Sequence, residues 1–141
     1  MSKKSRSEGN RVAMAIKANK SEYYISDVDL EDNYTDILSA GRNVRKTLGK
    51  NPASFLIISA GIKNLNVYVD AKDISKDWLI ASISNISSDK EVNTEENISS
   101  VSIETECPFK LKDVIRASAF AFLRKEGLLE EESEEDEYFE F

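Results

Sequence analysis

Histidine is absent from this 141-residue chain, and cysteine occurs once, at Cys107. Without histidine the chain lacks the commonest general base, the usual base of a catalytic triad and the commonest metal ligand. One cysteine excludes an intramolecular disulfide and cannot build a structural zinc site. Glycine is sparse, at five residues, and no G-x-x-x-x-G-K-[ST] or G-x-G-x-x-G run is present; Gly61 stands alone in a turn. No apolar run approaches the roughly 18 residues needed to span a bilayer. The start, Met1-Ser2-Lys3-Lys4-Ser5-Arg6, is basic without the apolar stretch of a secretory signal. A soluble intracellular protein is expected, cytoplasmic or nuclear, with no cofactor and no catalytic centre.

What remains for chemistry is thin. Cys107 lies just before a helix N-terminus, where a thiolate would be favoured, but no cationic or acid–base partner adjoins it in sequence, so a buried structural thiol is expected. Asp70/Asp73 and Glu104/Glu106 are paired carboxylates of the kind a hydrolase or metal site uses. Acids at strand edges and in loops are ordinarily solvated, and that is the expectation for these four.

Charge is unevenly placed. Overall the chain carries −7, yet residues 1–20 hold six Lys/Arg against one acid, and residues 130–141 hold eight acids and no base. Neither end has the apolar density to order itself by burial. The expected organisation is a flexible basic arm (1–10), one domain (11–129) and a disordered acidic tail (130–141). The arms serve either as solubilising segments or as a basic arm for phosphates and an acidic tail competing for the same surface. Tyr138, Phe139 and Phe141, set among acids, have the look of a short docking peptide, and Ser133 that of a phosphorylation site.

Between the arms, periodicity sketches a domain. Val12, Met14 and Ile16 alternate, which favours a strand over a helix for 11–18, and a second strand follows at Glu22–Val28. A helix then opens at Asp32 or Asn33, with Tyr34, Ile37, Leu38, Gly41, Val44 and Leu48 on one face and Gly49 and Pro52 ending it. Gly41 in mid-helix implies a close helix–sheet contact. Phe55–Ser59 is apolar throughout, as in a central strand. Leu65–Val69 alternates, leaving one face for water, and Leu65, Val67 and Val69 become partner-docking residues if this strand is an edge. Ser75 caps a helix burying Trp78, Leu79, Ile83 and Ile86. A polar loop (87–97), a strand (Ile98–Thr105) and a helix opened by Pro108 and closed by Gly127 complete the chain. The order (β)βαββαβα gives an α+β fold, a small, largely antiparallel sheet with about three helices on one face.

On the first of these helices Arg42, Arg45, Lys46 and Lys50 form a basic strip opposite Ile37, Val44 and Leu48, a candidate phosphate or RNA contact. The competing explanation is a solvated face whose cations complement the helix C-terminus.

The run Ser59-Ala-Gly61 … Leu65-Asn-Val67-Tyr-Val69-Asp-Ala71-Lys-Asp73-Ile74-Ser75 resembles the small dimerising subunit of KEOPS, a tRNA-modifying assembly. The similarity covers residues 53–86 and departs at Asp77-Trp78, where that family has Leu-Arg. The order of elements over residues 22–127 is similar to the C-terminal domain of alanyl-tRNA synthetase, without that domain's glycine-rich loop. Both resemblances imply a tRNA-linked accessory role. The chain is therefore expected to be a noncatalytic subunit of an intracellular assembly, homo- or heterodimeric in its contacts. The alternative is an RNA-binding protein acting through the basic strip and arm.

Overall fold

The computed structural model describes residues 2–86 and 91–129. Its elements are α1 (Lys3–Asn19), β1 (Tyr23–Asp27), α2 (Tyr34–Leu48), β2 (Ser54–Ala60), β3 (Asn64–Asp70), α3 (Ser75–Ile83), β4 (Asn93–Glu95), β5 (Ile98–Glu104) and α4 (Pro108–Lys125). The fold is α+β. The acidic tail, with Ser133, Tyr138, Phe139 and Phe141, lies outside the described residues, as do residues 87–90 of the polar loop.

The first element is a helix, not a flexible arm followed by a strand. Ser2 caps it by accepting from the Ser5 backbone N–H, and Ser5, Gly9, Val12, Ala13 and Ile16 are buried along one stripe. Met14, which the alternation expected inside, is 60% exposed. An apolar pattern of three residues fits both periods; the small residues Ser5 and Gly9 extend it at helical spacing.

The strands form one open sheet in the order β1-β2-β3-β5-β4. β1 and β2 run parallel, joined by α2, and the remaining pairs are antiparallel. β4 is a short strand inside what the sequence suggested was loop, turned back onto β5 through Glu96 at φ +56°.

Helices cover both faces, not one. Phe55, Ile57 and Tyr68 join Val12, Ile16, Ile37 and Val44 in the core under α1 and α2. Leu56, Ile58, Leu65, Val67 and Val69 join Trp78, Leu79, Ile115 and Leu123 under α3 and α4. The uniformly apolar β2 demands this, because its alternate side chains need cover on each side. Trp78 is fully buried and donates its indole N–H to the Ala119 carbonyl at 3.2 Å. Asn33 caps α2 through the Asp36 N–H, and Gly49 closes it at φ +63°. Ser75 does not cap α3; its hydroxyl bonds to that of Ser99, 3.0 Å away.

β3 is central and paired on both edges, so the proposed docking residues Leu65, Val67 and Val69 are core residues with no exposed surface. Its other face is dry as well, with Asn66 0% and Tyr68 1% exposed. Among the described residues no helix is long and apolar enough to cross a membrane.

Candidate nucleic-acid interface

α1 and α2 lie side by side and run the same way. Gly9 makes the close approach possible: a Cβ there would meet the Ala40 carbonyl oxygen at 2.8 Å and the Asn43 amide at 2.9 Å. Asn43 donates to the Arg6 carbonyl (3.1 Å) and to Asn10 Oδ1 (2.8 Å), and Thr47 donates to the same Asn10 oxygen (3.3 Å). Partners thus climb together along both helices, from Arg6 with Asn43 to Asn10 with Thr47.

That pairing sets the charged side chains. On α1, Lys3, Arg6, Asn10 and Lys17 recur at spacings of three, four and seven and share one stripe. On α2, Arg42 and Lys46 stand four residues apart on another, and Lys50 follows just past the Gly49 cap. Arg6, through its carbonyl, and Asn10 meet α2 at Asn43 and Thr47, each one residue along from Arg42 and Lys46, so the two stripes flank the seam between the helices. At the far end Lys17, Lys20 and Lys50 line one cleft of about 720 Å³ with Asn51, Pro52 and a single acid, Glu22.

Not every cation belongs to this layer. Arg45, one of the four expected phosphate ligands, is committed elsewhere. Its Nε donates to Asp70 Oδ2 at 3.1 Å, and its two terminal nitrogens donate to the Asn51 and Ala53 carbonyls. Its guanidinium also stacks 5.3 Å above the Phe55 ring centroid. Lys4 pairs with Asp29, and Arg11 with Glu8, whose hydrogen bond raises the Arg11 pKa above its ordinary value. Among the described residues, Lys3, Arg6, Lys17, Lys20, Arg42, Lys46 and Lys50 have no acidic partner. Residues 3–50 within α1, α2 and their C-terminal turns (3–20 and 34–50) hold ten Lys/Arg and two acids, in a chain whose net charge is −7.

The carboxylates expected in water divide. Asp73, Glu104 and Glu106 are exposed, but Asp70 is 6% exposed and held by Arg45. Cys107 is exposed, not buried, its sulfur 3.7 Å from the Thr105 hydroxyl. Among the described residues no group of three or more Cys, Asp or Glu is placed to hold a metal ion.

A second surface was not foreseen. Ile62 in the β2–β3 turn is 80% exposed and Phe109 at the start of α4 is 65% exposed. Both line a cleft of about 620 Å³ with Asp29, Glu31 and Asp32. Each is a lone apolar residue beside turn or helix-start signals, so periodicity offers no hint that the fold sets them together. No family model matches the chain, and no curated protein matches its sequence.

Proposed function

We propose that this chain is a noncatalytic accessory protein of an RNA-linked assembly, and that the α1–α2 layer grips the phosphate backbone. The observation that carries this is the parallel packing of α1 on α2, which joins two cationic stripes into one surface. Seven cations without acidic partners stand there, against a strongly acidic remainder that keeps the attraction local. Neither stripe carries an aromatic residue, so the layer supplies backbone contact without base stacking. The tRNA-linked role suggested by the sequence resemblances agrees in class.

Cations near helix C-termini also offset the helix dipoles, so charge count alone does not decide the matter. Salt dependence does. Five neutralised phosphates give a slope of log affinity against log salt of about −3.5 to −4.5. Binding of a fluorescent tRNA-sized hairpin at a series of salt concentrations measures it. Lys46→Glu with Lys50→Glu should weaken binding at low salt and flatten the slope. Unchanged affinity in that double variant, or no binding at low salt, overturns the proposal.

A protein partner is favoured at a different place, by Ile62 and Phe109. Two large apolar side chains exposed together beside Asp29, Glu31 and Asp32 suit a partner offering apolar and basic groups. Replacing both with serine should abolish co-purification of such a partner while leaving RNA affinity unchanged.

A further inference from the structure

Beside the cationic layer, α2 and the β4–β5 hairpin enclose a groove of about 520 Å³. One wall is Tyr34, Leu38 and Arg42 of α2; the other is Ile98 and Ser100 of β5 with Asn93 of β4. Tyr68, from β3, lies at its base. This groove has three properties that a mere gap between elements lacks.

The first is an uncompensated hydroxyl. Tyr68 is 1% exposed, and its hydroxyl has no hydrogen-bond partner among the described residues. Burying such a group unpaired costs about 1–3 kcal/mol, and phenylalanine would fill the same space without that cost. The second is a prepared polar wall. The Tyr34 hydroxyl lies 2.6 Å from Ser100 Oγ and receives a bond from the Asn93 side-chain amide at 2.9 Å, while the Asn93 side-chain oxygen has no partner among the described residues. The third is a cation at the mouth. Arg42 is exposed and has only a 3.5 Å contact to the Ser39 hydroxyl, and the one acid lining the groove, Glu95, stands across it on the hairpin.

We propose that this groove binds one nucleotide unit, its planar base between Leu38, Ile98 and the Tyr34 ring and its phosphate on Arg42. A ring nitrogen or carbonyl oxygen of the base would accept from the Tyr68 hydroxyl, and a base N–H would donate to the Asn93 side-chain oxygen. Apolar walls with a few convergent polar groups are what a small planar ligand requires, and the volume admits one nucleotide. Arg42 also belongs to the α2 stripe, so an unpaired nucleotide of an RNA lying on the α1–α2 layer reaches the groove without a new surface. That form rests on the proposed RNA contact; a free nucleotide would use the same groups without it.

The test titrates the full chain with AMP, GMP, CMP and UMP, following backbone amide resonances, and measures binding of a fully paired duplex and a single-stranded RNA of equal length. The expected result is that at least one mononucleotide shifts Leu38, Asn93 and Ser100. Tyr68→Phe and Arg42→Gln should each weaken it about tenfold, and Lys76→Gln, at an exposed position on α3, should not. Tyr68→Phe should also weaken the single strand and spare the duplex. If no mononucleotide shifts these residues and Tyr68→Phe treats both RNAs alike, the groove proposal falls, even with salt-steep RNA binding intact. Mononucleotide binding without RNA binding would keep the groove and overturn the layer. Arg42 is exposed, so its variant reads the groove even if Tyr68→Phe perturbs the core.

Discussion

The Nε of Arg45 lies 3.1 Å from Asp70 Oδ2, fastening the last turn of α2 to the end of β3. The same guanidinium donates to the Asn51 and Ala53 carbonyls, so it also fixes the chain leading into β2. A planar group that donates to three separate acceptors while stacking on a ring is specific to arginine. Arg45→Gln should lower stability by about 1.5–3 kcal/mol, because Asp70 is left buried without its cation while the pair's partial exposure limits the loss. Lys46→Gln, one residue along and exposed, should change it by less than about 0.5 kcal/mol. Urea midpoints for the two variants decide this; equal midpoints would show that Arg45 is an ordinary surface cation.

Gly41 and Tyr68 meet just as closely. A Cβ on Gly41 would overlap the Cε1, Cδ1 and Cζ atoms of the Tyr68 ring. Alanine normally gains about 1 kcal/mol over glycine inside a helix. Here Gly41→Ala should instead destabilise, by a net of about 1–3 kcal/mol, because α2 must lift from the sheet or the ring must leave its place against Phe55. The same loss should appear in a Tyr68→Phe background, since the overlap is with ring carbons. Thermal unfolding of the single and double variants measures it, and a stabilising Gly41→Ala would mean that α2 is not seated on the ring.

How much of this was visible in the sequence depends on whether a signal was local. α2 was legible because its apolar stripe, Asn33 cap and Gly49 terminus agree, and Gly41 gave away the close contact before Tyr68 was known to make it. α1 was misread because Val12, Met14 and Ile16 satisfy the strand period, while Ser5 and Gly9 bury themselves without hydrophobicity. Helices were expected on one face because β3 alternates; the unbroken apolar run of β2 was the signal that both faces are covered. In the basic strip, Arg42 and Arg45 are indistinguishable as residues. Only the β3 register, which carries Asp70 to α2 from 25 residues away, separates the structural arginine from the other. The groove was invisible for the same reason: its groups come from α2, β3, β4 and β5.

Asn66 presents the opposite case to Tyr68. It is fully buried in β3, and neither its amide nitrogen nor its oxygen has a partner among the described residues. It lines none of the clefts described above. Valine is close in volume and suits a central strand. Asn66→Val should therefore raise stability by about 1–3 kcal/mol, seen as a higher urea midpoint with an unchanged slope. A lower midpoint would reveal that the amide is satisfied in solution, by an internal water bridging it to Ser59 or Ser102 across the neighbouring strands.

Alkaline unfolding should report on Tyr68. Burial, and secondly the nearby Asp70 carboxylate, raise its pKa well above the ordinary tyrosine value of 10.0, against a smaller opposing pull from Arg42 and Arg45. The folded chain therefore keeps this proton where the unfolded chain releases it. Above about pH 10 the unfolded state binds fewer protons, so stability falls as pH rises, by up to about 1.4 kcal/mol per unit from this one group. Below that pH both states hold the proton and the contribution is flat. Tyr68→Phe removes the titrating group while keeping the ring, so its stability should match or exceed the native chain at pH 7 and decline less steeply from pH 10 to 11. Every other group is common to both proteins and cancels in the comparison. Parallel slopes in urea titrations across that interval would show that the hydroxyl reaches water.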